Sequence, residues 1–189
     1  MDLKELSRET SVLRTAPSEA HSPWSPASKP VIAAVNGPAV TGGLELVLNC
    51  DIVICSERAV FADTHARVGV LPGWGLSVLL PLAVGRSRAR QMSFTGDFLL
   101  AAQALTAGLV SEVVRHENLL GRAREIAGAI AGNDARAVRA LLASYRQVEA
   151  EVVAGGFAAE RCASMVQYSF FSKALISRSR STIKRSATV

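Results

Sequence analysis

At 189 residues, with 49% hydrophobic and 20% charged side chains, the chain is long enough for one domain with a real core and too apolar to be disordered throughout. Its net charge of +5 comes largely from Arg178, Arg180, Lys184 and Arg185 in an acid-free terminal stretch, Ser177 to Val189, which reads first as a solvated end and second as a contact for phosphates, while the remainder is nearly neutral. Met1-Asp2-Leu3-Lys4-Glu5-Leu6 has neither a basic n-region nor an apolar h-region, and no apolar run reaches the about 18 residues that span a bilayer, so a cytoplasmic protein without membrane segments is expected.

The first segment carries a short helical pattern, Leu3, Leu6 and Val12, and then a stretch from Ala16 to Ser28 broken by Pro17, Pro23 and Pro26, which reads as a linker. From Pro30 the character changes. Val31 to Val35 is a continuous apolar run of the kind expected for a strand covered on both faces, and Asn36-Gly37-Pro38 ends it. After Gly42-Gly43, Leu44 to Asn49 opens as a helix and Ile52 to Ile54 as a second buried strand, which together predict a parallel β-α-β crossover.

Gly69, Pro72, Gly73 and Gly75 then punctuate a loop, and Leu76 to Val84 has an apolar helical pattern interrupted by Pro81. Ala101 to Gly108 reads as a helix and Val110 to Val114 as a last short strand. Beyond Glu117 the pattern is helical, with Leu119, Ala123, Ile126 and Ile130 on one face. A second helix starts near Asp134 and carries Val138, Leu141, Leu142 and Tyr145 along one stripe; a third covers Val152 to Leu175, weakened at Gly155-Gly156. No internal repeat is visible. Cys50, Cys55 and Cys162 form no CxxC pair and are odd in number, so neither a metal site nor a disulfide framework is expected, and all three read as buried thiols.

Chemistry concentrates between Lys29 and Asp51. Glycines where a strand turns into a helix let backbone N–H groups approach a ligand, and the helix N-terminus adds partial positive charge, so the turn is an anion-binding device. Read from these residues alone, Glu45 either complements the helix dipole or stands beside whatever occupies the glycine turn. The chain lacks a G-x-G-x-x-G dinucleotide turn, a G-x-x-x-x-G-K-[ST] phosphate loop and a G-x-S-x-G nucleophile elbow.

Lys29-Pro30-Val31-Ile32-Ala33-Ala34-Val35-Asn36-Gly37-Pro38-Ala39-Val40-Thr41-Gly42-Gly43-Leu44-Glu45-Leu46, with Asn49-Cys50-Asp51 behind it, closely resembles the hallmark of the enoyl-CoA hydratase/isomerase (crotonase) family. The resemblance extends through Ala59-Val60-Phe61, Gly69 to Gly73, Phe94-Thr95-Gly96 and Ala107 to Val110. It implies an α/β fold, a crotonase-like spiral of β-β-α units incomplete at its N-terminus, followed by a helical region. The corresponding divisions are an N-terminal remnant and linker over 1–28, the core over 29–116, and a helical oligomerisation region with a basic tail over 117–189. The implied partners are an acyl-CoA thioester as substrate and further copies of the chain in a trimer or dimer of trimers, with no nucleic acid or membrane; no metal or other cofactor is implied.

By the same resemblance Gly42 supplies a backbone donor to the thioester oxygen as it becomes an enolate, which stabilises the charge without reorganisation. Glu45 matches one of the two glutamates with which hydratases activate water and move a proton. His65 occupies the position of the second, either as a substitute acid/base or with that role lost, and Asp63 is placed either to orient it or to act itself. Ala39, Val40, Thr41, Gly73 and Trp74 are implied to border the substrate, Trp74 as a wall of the acyl pocket or as core packing.

Asp2-Leu3-Lys4-Glu5-Leu6 resembles the latter half of the segment that carries the family's other oxyanion donor, so that donor is expected to be absent. Loss of one such donor costs about 10²–10³ in rate. Three readings follow: a hydratase/isomerase-type enzyme acting through an enolate-like intermediate, a non-catalytic family member or subunit, and, ranked last, nucleic-acid binding through the basic tail.

Overall fold

The computed structural model describes residues 23–169, so the expectations for the leading segment and the basic tail lie outside the described residues. The chain begins with β1 (Ile32–Val35), β2 (Pro38–Val40) and α1 (Gly42–Leu48), then β3 (Ile52–Ser56), β4 (Val60–Ala62) and α2 (His65–Val68). Next come α3 (Leu76–Val84), α4 (Arg86–Thr95), β5 (Leu99–Leu100), α5 (Ala101–Ala107) and β6 (Glu112–Val114). A 3-10 turn (His116–Asn118) leads into α6 (Leu119–Ala131), α7 (Ala135–Val152) and α8 (Gly156–Ser169). Among the described residues no helix is long and apolar enough to cross a membrane.

The first strands of the two β-β-α units, β1 and β3, are neighbours in one sheet, ordered β1-β3-β6, and the second strands, β2 and β4, are neighbours in another, ordered β2-β4-β5, in which β5 runs antiparallel to β4. β1 pairs in parallel with β3, Ile32 opposite Ile52, and β2 in parallel with β4, Val40 opposite Ala62. Each unit therefore advances one strand in both sheets at once, which is the expected spiral, and the β1-α1-β3 crossover is parallel as expected. The backbone thus repeats where the amino-acid sequence does not.

Leu44, Val47, Cys55, Phe61, Leu76, Leu80 and Met92 form the centre of one hydrophobic core. At about 25 cal/mol per Å² of apolar surface, each fully buried leucine or phenylalanine contributes roughly 1.5–3 kcal/mol. Phe61 of β4 and Leu44 of α1 are both fully buried in this core, next to where the site will lie.

Several expectations change. β1 is half-buried along its whole length, because among the described strands it sits at a sheet edge. α3 runs through Pro81, which costs the helix one backbone bond without ending it. The stripe expected on α7 divides in two: Val138, Leu142 and Arg146 face the protein, whereas Leu141 and Tyr145 are 60% and 69% exposed. Val152 ends α7, and the last helix starts only at Gly156, since Gly155 takes a left-handed φ of 83°. The part of that helix expected beyond residue 169 lies outside the described residues. Of the cysteines only Cys55 is buried; Cys50 is half-buried and Cys162 exposed. Burial pushes the Cys55 thiol up to about 11, so it stays protonated and inert.

Asp51 joins the core to the helical region. Its Oδ2 accepts from the Val31 N–H at 2.7 Å, and its Oδ1 lies 3.3 Å from Arg146 of α7, which also donates to the Ala27 carbonyl. Arg122 of α6 reaches both Glu112 oxygens at 2.7 Å, a bidentate pair that ties α6 to β6.

Candidate active site

The parallel register of β2 and β4 builds the site. Val40 pairs with Ala62 and the Thr41 N–H donates to the Ala62 carbonyl at 2.9 Å, so the two strands end side by side. The chain leaving β2 enters α1 through Gly42-Gly43, and the chain leaving β4 enters α2 through Asp63-Thr64. Glu45, one turn into α1, and His65, at the start of α2, are thereby brought together although 20 positions apart.

Glu45 is 4% exposed, and its carboxylate is fully engaged. Oε1 accepts from the Gly73 N–H at 3.0 Å and the Trp74 N–H at 2.7 Å; Oε2 lies 3.5 Å from His65 Nε2. On the other side of the ring, Nδ1 stands 2.6 Å from Asp63 Oδ1, which also accepts from the His65 backbone N–H at 3.1 Å. Ser93 gives Asp63 a further side-chain hydrogen bond. Asp63 and His65 are buried as well, and among the described residues no buried side-chain polar atom is left without a partner.

The electrostatics follow from this line of three groups. Burial by itself pushes the His65 imidazole down, but the hydrogen bonds and charges of Asp63 and Glu45 outweigh it and raise its pKa from 6.5 to about 9. Burial pushes the Asp63 carboxyl up, and His65 and Ser93 overcome that to hold it below the usual carboxylate range. At neutral pH His65 is therefore held as an imidazolium, with Asp63 on one side of the ring and Glu45 on the other. The site carries a proton that Nε2 can give and a carboxyl group, Glu45, beside it that can take one.

The glycine turn sits against this line. Thr41 has φ 55° and ψ −114°, a conformation that side chains rarely adopt and that costs a β-branched residue about 1–3 kcal/mol. Its hydroxyl is hydrogen-bonded to that of Thr64, next to His65, so the turn and α2 are joined directly. Gly42 opens α1, where first-turn N–H groups have no helical acceptor. A Cβ at Gly42 would meet the Trp74 ring at 3.9 Å, which places the indole over the turn.

Of the residues singled out from the sequence, Gly42, Thr41, Glu45, His65, Gly73 and Trp74 converge. Ala39 is buried in the core, and Val40 is half-buried in β2. The Gly73 N–H, expected to approach substrate, donates to Glu45. Sequence reasoning missed Ser93 and the loop N–H pair that holds Glu45. Asp63, two residues before His65 at the end of a strand, was the one signal available for the line of charges.

The sequence model of the enoyl-CoA hydratase/isomerase family matches residues 1–185. A probable peroxisomal enoyl-CoA hydratase of Arabidopsis thaliana is 48% identical over 106 residues, covering 56% of this chain and 40% of its own length. A crotonyl-CoA hydratase of Syntrophomonas wolfei is 43% identical over 111 residues, 59% of this chain and 43% of its own. The chain thus spans less than half the length of these two relatives. Among solved structures, an enoyl-CoA hydratase from Mycobacterium avium superposes with TM-score 0.77 at 56% identity, covering 81% of this chain and 68% of that one. One from Mycobacterium tuberculosis H37Rv gives 0.77 at 56% identity, with 80% and 68% covered. With the spiral of β-β-α units and the Gly42–Glu45 turn in place, the chain belongs to the enoyl-CoA hydratase/isomerase (crotonase) family.

Proposed function

We propose that this chain binds an acyl-CoA thioester at the Gly42 turn and hydrates a conjugated enoyl group through an enolate-like intermediate, with Glu45 and His65 as its acid/base pair. The observation that carries this reading is the buried Asp63–His65–Glu45 line, in which His65 Nε2 and a Glu45 carboxyl oxygen stand 3.5 Å apart beside the glycine turn. Glu45 takes a proton from water as the water oxygen bonds to the β-carbon. The electrons of the C=C bond move to the thioester oxygen, where the Gly42 N–H stabilises the developing charge. His65 Nε2 then protonates the α-carbon as the carbonyl re-forms, and the proton on Glu45 returns to His65, restoring both groups. The product is a 3-hydroxyacyl thioester; no redox change occurs.

The experiment is hydration of a short trans-2-enoyl-CoA by the purified chain, followed as loss of the conjugated thioester absorbance across pH. Because His65 must be protonated to donate, kcat is expected to hold through neutrality and fall about tenfold per pH unit above about 9. A rate that keeps rising past that point would remove His65 from the reaction.

We also propose self-association through α7. Leu141, Tyr145, Val148 and Val152 recur at helical spacing and are 58–69% exposed, an apolar stripe of the kind that marks an interface. Light scattering after size exclusion is expected to give a multiple of the chain mass for the native protein and a lower multiple for Tyr145→Asp. A monomeric native chain would contradict the assignment.

A further inference from the structure

The loop that holds Glu45 is itself held by a second buried carboxylate from the far end of the chain. Glu160, on α8, is 8% exposed; its Oε1 accepts from the Gly75 N–H at 2.7 Å and its Oε2 from the Ser77 N–H at 2.5 Å. The backbone from Gly73 to Ser77 thus divides its donors, Gly73 and Trp74 to Glu45, Gly75 and Ser77 to Glu160.

The same face of α8 grips the loop above and below that point. The Phe157 ring covers Gly75 so closely that a Cβ there would stand 2.2 Å from it, and Gly75 has φ 87°, so both the contact and the backbone require glycine. One turn beyond Glu160, the buried Ser164 donates from Oγ to the Leu71 carbonyl at 3.4 Å. Phe157, Glu160 and Ser164 recur at spacings of three and four, one helical face. From the opposite side Asn49 Nδ2, at the end of α1, donates to the Trp74 carbonyl at 2.9 Å.

We infer that Glu160 is a positioning residue for Glu45, and that α8 acts as a clamp whose seating sets the geometry of the acid/base pair through the Gly73–Ser77 backbone. A carboxylate accepts at both oxygens, whereas a glutamine accepts at only one, so Glu160→Gln leaves either Gly75 or Ser77 with a buried N–H facing an NH₂ group. The loop must shift to relieve it, and Gly73 and Trp74 shift with it. The inference rests on the reading of Glu45 as an acid/base.

The test compares the full chain with Glu160→Gln by amide hydrogen exchange and by hydration kinetics. The expected result is faster exchange at Gly73 and Trp74, which Glu160 does not touch, with the Ile54 amide unchanged. A fall in kcat of about 10- to 100-fold at little-changed KM is expected alongside, as for a small misplacement of a catalytic group. Faster exchange confined to Gly75 and Ser77, with kcat unaltered, would mean that Glu160 only caps α3 and would overturn the inference. Ser164→Ala, which removes the contact at Leu71 with little change in volume, is expected to give the same pattern more weakly and decides the matter if Glu160→Gln does not fold. The exchange result stands apart from turnover: loosened Gly73 and Trp74 with no hydration by the native chain would leave the clamp in place and defeat the proposed reaction.

Discussion

Glu45→Gln is expected to lower the hydration rate by about 10²–10⁴, the range ascribed to a positioned general base, with KM little changed. The substitution isolates chemistry from folding. A glutamine oxygen still accepts from the Gly73 and Trp74 N–H groups that now bind Oε1, so the loop keeps its anchor. What changes is the atom facing His65 Nε2: a carboxyl oxygen 3.5 Å away becomes an NH₂ that neither takes a proton from water nor accepts from the imidazole. One of the two carboxylates that raise the His65 pKa is then gone, and its midpoint is expected below about 9. The two readouts are independent. Native-like turnover in the variant excludes Glu45 as the base, and an unmoved His65 titration, followed by NMR of the imidazole carbons, excludes the contact itself.

The turn that sets up this chemistry is legible in the sequence because it is local. Val31 to Asp51 carries its own strand, glycine break and helix, and the structure keeps them in that order. The short strands β2, β4 and β5 were not legible, since two or three residues show no period; they exist only through pairing with each other. α4 escaped for a related reason. Arg86 to Thr95 is polar on most of its circumference and buries only Ala89 and Met92, so its ends at Gly85 and Gly96 define it better than its pattern does. On α7 the apolar residues were seen but assigned to one stripe, because Leu141 and Leu142 are adjacent in sequence and lie on different faces.

The site divides along the same line. Glu45 stood out through the resemblance, and His65 as a departure from it, but their charge states depend on burial and partners that no spacing reveals. Asp63 first and Glu45 second, the latter delivered by the β2–β4 register, together raise the ring's pKa. Glu160 illustrates the limit further: a single acid in an alanine-rich helix reads as solvent-facing until the Gly75 and Ser77 amides, 85 and 83 positions away, are found against it.

His65→Gln is expected to destabilise the fold by about 3–5 kcal/mol near neutral pH, the cost of removing one partner from a buried ion pair. The variant leaves Asp63 and Glu45, 2% and 4% exposed, on either side of a neutral amide. The pH dependence identifies the cause. His65 has a folded pKa raised above its ordinary 6.5, so its contribution is fully present below that value and is lost as pH rises through about 9. Asp63 has a depressed folded pKa, so its contribution is present above the ordinary carboxylate value and lost as pH falls through the folded one. The difference in unfolding free energy between native chain and variant is therefore expected to be a plateau around pH 5.5–6.5, shrinking in acid and again in base as His65 loses its proton. Urea unfolding of both chains at pH 6, 8 and 10 measures it, and other titrations cancel in the difference. A gap that stays constant to pH 10 would show that His65 stabilises by packing rather than by charge, and the proton required for the α-carbon would then have to come from another group.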